Sequence, residues 1–183
     1  MKNHRLGGIA LILVLAIAGS NAFAQRSREV HFRGTISDYT PQSPVGGPWE
    51  VRGQWSLTIK RNGKADFSAA VNMERSDLGV INSGGGDLNS PADRKAHTHH
   101  IKLVDGTVTA LSNGLEVTGP AVITFNGAWP PPFGPSSSLA IDITGGTGPN
   151  SVTFSNIKVT FQDDAAKHFG VAPLHGVVRH VDY

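Results

Sequence analysis

Apolar and polar residues alternate with a period of two along most of the chain beyond residue 25. The sharpest case is 49–60. Trp49, Val51, Gly53, Trp55, Leu57 and Ile59 fall on one face, and Glu50, Arg52, Gln54, Ser56, Thr58 and Lys60 on the other. Successive side chains of a strand point to opposite faces, so this pattern predicts a half-buried antiparallel strand. Asn62-Gly63 follows and predicts a tight hairpin turn with both central residues at positive φ. The return strand, 65–73, sets Phe67, Ala69, Val71 and Met73 against Asp66, Ser68, Asn72 and Glu74.

The same reading predicts strands at 30–38, 97–104, 107–111, 115–125, 138–144, 152–161 and 175–181. Asp105-Gly106 and Asn113-Gly114 are the expected turns of a meander, and the glycine-rich stretch 145–150 is the expected turn between the 138–144 and 152–161 runs. Asp163 to Phe169 predicts one short helix, with acidic residues at its start and Gly170 at its end. With about nine strands and no helix-period segments between them, the fold class is all-β. The architecture is a single-domain antiparallel small barrel, or a two-sheet sandwich, since both give the same alternation. Segment 77–95 contains Gly84-Gly85-Gly86 and Ser90-Pro91 and few apolar residues, and it reads as a long flexible loop.

One segment breaks the alternation. Residues 7–18 (GGIALILVLAIA) are continuously apolar, follow Lys2 and Arg5, and precede Ala22-Phe23-Ala24. A basic start, a short apolar run and a small-x-small site together predict a secretory signal peptide, residues 1–24, cut before Gln25. The expected product is a β domain of residues 25–183, exported to a bacterial periplasm or outside the cell. Export also changes the charge argument. The whole chain has 16 Lys and Arg against 14 Asp and Glu, and the two basic residues of the signal remove the excess. A balanced chain offers no electrostatic case for nucleic acid. No later apolar run is long enough for a spanning helix, so membrane insertion of the mature chain is not expected. The absence of cysteine excludes disulfides, thiolate catalysis and zinc-thiolate sites.

Histidine carries the candidate chemistry. In His97-Thr98-His99-His100, strand geometry puts His97 and His99 on the face shared with Ile101 and Leu103, turned toward the core. Two imidazoles at i and i+2 on one strand face can reach one metal ion, with His31, His168, His175, His180 or an aspartate as candidate third ligand. Neutral imidazole without thiolate suits Zn or Cu, and also Ni or Fe(II). The simpler alternative is polar surface at a loop–strand junction. A second group, His99, His175 and Arg179, offers acid–base chemistry, with the arginine stabilising an anion. For His168, favourable charge near a helix C-terminus is sufficient explanation. Trp129 and Phe133 bracket a run of prolines and are candidate ligand-binding residues, as a lid over a cavity or as a plug in a barrel end.

Strand count, export signal and an aromatic lid make the chain similar to small exported barrels of the lipocalin or dirigent/allene-oxide-cyclase type, a resemblance that implies architecture alone. The leading expectation is a binding module for a small molecule or metal ion. The alternatives are a cyclase, isomerase or lyase using histidine acid–base catalysis, and a structural or surface-interaction protein without a pocket.

Overall fold

Alternation folds the chain into eight antiparallel strands: β1 (Val30–Thr40), β2 (Trp49–Ile59), β3 (Lys64–Arg75), β4 (His97–Leu111), β5 (Gly114–Asn126), β6 (Ser136–Gly148), β7 (Ser151–Phe161) and β8 (Leu174–Asp182). The computed structural model describes residues 28–40, 48–75, 96–126, 133–148 and 151–183. The signal segment, the 77–95 loop and Trp129 lie outside the described residues. Every strand pairs with its sequence neighbours, and β1 also pairs with β8. That last pairing closes the sheet into a barrel rather than a sandwich.

The strand count is eight rather than about nine because Asp105-Gly106 is a bulge, not a turn. Asp105 takes a φ of 57°, the register slips between Leu103 and Thr107, and the chain continues as one strand to Leu111. Aspartate tolerates the left-handed region better than most residues. Neighbouring charges hold the bulge: Lys60 Nζ lies 2.6 Å from Asp105 Oδ1 and 2.7 Å from Asp66 Oδ1, and the Asp105 N–H donates to Asp66 Oδ1 at 2.9 Å. The glycine-rich stretch differs too, since β6 runs through it to Gly148 with a register shift at Thr144/Gly145. At the Asn62-Gly63 hairpin only Gly63 has positive φ, because the turn spans Lys60 to Gly63 and the glycine follows it as a bulge.

Inward positions are filled. Phe32, Ile36, Trp55, Leu57, Phe67, Ile101, Leu103, Leu115, Ile141 and Ile157 are buried in the interior, as period-two alternation requires. Burying each large side chain stabilises the fold by about 1.5–3 kcal/mol before entropy is counted. Outward positions carry Arg33, Arg52, Lys102 and Lys158, all exposed. This polar-out pattern is the reverse of the apolar band that a lipid-facing barrel presents, and no helix among the described residues is long and apolar enough to cross a membrane.

The two rims differ. At one, strands are joined by 60–63, 112–113 and 149–150; at the other, by 41–48, 76–96, 127–135 and 162–173. The longer connections all leave from the rim where β4 begins, and of their described residues Phe133, His168 and Phe169 lie against the histidine pair.

Candidate metal centre

His97 and His99 open β4 on its inward face, at 4% and 0% exposure. Thr98 and His100 point the other way. Across the ladder His97 faces Met73 and His99 faces Val71 on one side and Phe125 on the other.

The third member comes from the β7–β8 connection, where a 3₁₀ turn (Asp163–Ala165) runs into a one-turn helix, α1 (Ala166–Phe169). Asp163 starts it with a φ of 55°, and its Oδ2 accepts the Ser138 N–H at 3.2 Å. Gln162 N–H donates to the Ser138 carbonyl, and Ser137 Oγ donates to the Gln162 carbonyl at 2.7 Å, so the segment is tied to β6. Gly170, at φ 95°, ends the helix in a conformation that suits glycine. One helical turn places Ala165, His168 and Phe169 inward and leaves Lys167 outside, paired with Asp164.

The result is a buried triad. His168 Nε2 lies 3.1 Å from His97 Nε2 and 3.1 Å from His99 Nε2. One ligand nitrogen from each ring falls within 4.8 Å of the other two. Nitrogens bound to one tetrahedral ion at about 2.0–2.1 Å stand about 3.3 Å apart, so the observed spacing fits an ion between them. Hydrogen bonding alone fits less well. A ring nitrogen has either one proton or one lone pair in the ring plane, so His168 Nε2 cannot make two full hydrogen bonds at once.

Burial first, then the nearby His168 and His97 rings, lower the His99 pKa from 6.5 to about 3. The Thr124 backbone pulls weakly the other way. His99 is therefore neutral near pH 7, the form in which imidazole binds a metal.

Aromatic rings enclose the triad. Trp49 meets His97 edge-on at 4.8 Å between centroids, and Phe125 lies 5.2 Å from both His97 and His99. Phe133 packs 5.6 Å from His99 and 5.5 Å from His168, and Phe169 packs 4.8 Å from His99 while stacking on Phe161 at 3.9 Å. Phe133 is 8% exposed, so it sits in the barrel end as a plug.

The other sequence candidates lie elsewhere. His31 hydrogen-bonds Thr58 Oγ1 at 3.0 Å, and His180 pairs with Asp182 at 2.7 Å, both by the rim of short turns. His175 is exposed at the rim and pairs through Nδ1 with Asp38 at 2.9 Å. It borders a cavity of about 320 Å³ whose lining includes Phe169 and Leu174 but neither His99 nor Arg179. Arg179 is exposed on the outer face. His99, His175 and Arg179 thus do not surround one cavity. The helix-charge explanation of His168 is also corrected: the ring is 1% exposed and set against two other imidazoles, where a positive charge is disfavoured. Sequence reasoning missed Phe125 and Phe169. The inward parity of Phe125 beside His99 could have flagged the first, whereas the place of Phe169 depends on how α1 docks.

Compared with protein-family models, curated proteins and solved structures, the chain matches none.

Proposed function

We propose that the protein is an exported metal-binding barrel, in which Nε2 of His97, His99 and His168 holds one transition-metal ion. The observation that carries this reading is the convergence of three buried ring nitrogens at 3.1 Å contacts from elements far apart in sequence. Nitrogen-only donors suit Zn or Cu better than the oxygen-seeking Mg or Ca. The aromatic shell keeps water away, which strengthens ion–ligand attraction and slows exchange. Ordering the β7–β8 connection around the ion couples metal binding to stability of that rim.

The experiment is titration of the purified, chelator-treated chain with Zn²⁺ and Cu²⁺, followed by calorimetry and thermal unfolding. Uptake of one equivalent with a rise in Tm is expected for the wild type and not for His168→Ala. A wild-type chain that gains no stability and retains no metal on elemental analysis would overturn the reading. Export rests on residues 1–24, and a secreted product whose first residue is Gln25 is the expected result of N-terminal sequencing.

A further inference from the structure

We propose that Met73 supplies a thioether ligand beside the three imidazoles, and that the centre therefore selects copper, above all Cu(I), over zinc. This rests on the metal-binding reading and names the ion that the site takes.

Position is the first argument. Met73 stands opposite His97 in the β3–β4 register, and both residues are inward and buried. Directly opposed residues of an antiparallel pair hold their Cβ atoms about 4.5–5.5 Å apart, within reach for long side chains. Three rotatable bonds let a methionine sulfur follow its surroundings. The chain has two methionines, and the other is Met1. Inward neighbours on β3 are Ala65, Phe67, Ala69 and Val71, so this strand brings its one sulfur to the level of the triad.

Charge is the second. The ligand group contains three histidines and no carboxylate among the described residues. Around it stand Trp49, Phe125, Phe133 and Phe169. A divalent ion held by neutral ligands in such a shell keeps its full charge in a medium that penalises charge. Because the Born cost grows as the square of the charge, a monovalent ion meets about a quarter of that penalty. Thioether sulfur is soft, and soft ligands favour Cu(I), whereas zinc bound through sulfur takes thiolate, which this chain lacks.

The test is competition for Cu(I), kept reduced with ascorbate under anaerobic conditions, against a chromogenic Cu(I) chelator, with Zn²⁺ affinity measured in parallel. Met73→Leu conserves volume and should weaken Cu(I) binding by about tenfold or more while changing Zn²⁺ affinity less than about twofold. Copper-edge X-ray absorption on the selenomethionine-labelled full chain supplies a measurement that needs no substitution: one selenium scatterer at bonding distance is expected. Unchanged Cu(I) affinity in folded Met73→Leu, or a copper shell of nitrogen and oxygen alone, overturns the inference and leaves the three-histidine centre standing. A wild-type chain that takes up neither ion overturns both.

Discussion

His168 Nε2 lies 3.1 Å from His99 Nε2 although 69 residues separate them. His99 arrives by strand alternation, whereas His168 arrives because a one-turn helix docks into the barrel rim. Removing either ring leaves only two of the three imidazoles to hold an ion. Losing an outer-shell partner typically costs 10–100-fold in metal affinity, so His168→Ala or His99→Ala should cost more than about 100-fold. Isothermal titration with Zn²⁺ and Cu²⁺ reads this directly, and near-wild-type affinity in either variant would refute the ligand assignment.

Acid should destabilise the metal-free barrel. Burial and the neighbouring rings lower the folded pKa of His99 to about 3, against 6.5 for an ordinary histidine. Between these values the unfolded chain binds the extra proton, so stability falls as pH falls. The full contribution is present above about pH 6.5, and the loss for this group is at most about 1.4 kcal/mol per pH unit. Bound metal competes with the protons, so excess Zn²⁺ should move the acid transition to lower pH. Chemical denaturation between pH 4 and 8, with and without metal, checks both signs.

Phe133→Ala should open the shell without touching a ligand. The ring is 8% exposed and packs on His99, His168 and Phe169. A cavity at this position is expected to cost about 2–4 kcal/mol of stability. Metal release to a chelator should become faster than in the wild type, and an unchanged release rate would show that Phe133 does not seal the site.

His175→Ala should leave metal affinity within about twofold, because the ring is exposed and pairs with Asp38 rather than with the triad. Exposed ion pairs contribute about 0–1 kcal/mol, so the stability change should be small as well. A large loss of metal affinity in this variant would place His175 in the centre and revive its role as a third ligand.

Gly34→Ala tests the barrel wall. A Cβ there would meet the Val177 carbonyl oxygen at 1.9 Å and the Trp55 ring at 2.8 Å. Backbone and a buried indole cannot both yield, so the expected loss is about 3 kcal/mol or more, roughly 6–12 °C in Tm. Thermal unfolding by circular dichroism measures it.

Much of the barrel was legible from alternation alone. The 49–60 and 65–73 runs became β2 and β3, and the inward parity of His97, His99, Ile101 and Leu103 is the one observed. Asp105-Gly106 misled because a bulge and a turn draw on the same residues; what separates them is a partner strand that continues past the irregularity, here the Asp66–Lys60 side of the wall. The role of His168 was illegible for a related reason. A four-residue helix has too little sequence to state which way it will dock, and its direction follows from the ties of Gln162 and Asp163 to Ser138.

Local chemistry, then, determined which residues become strand, which side chains face inward and that two imidazoles share one inward face, because those properties depend on the two-residue period of extended backbone. Closure of β1 on β8 and the meeting of His168 with His97 and His99 were decided only in three dimensions. Both depend on contacts between residues far apart in the chain, and no local pattern encodes the distance between them.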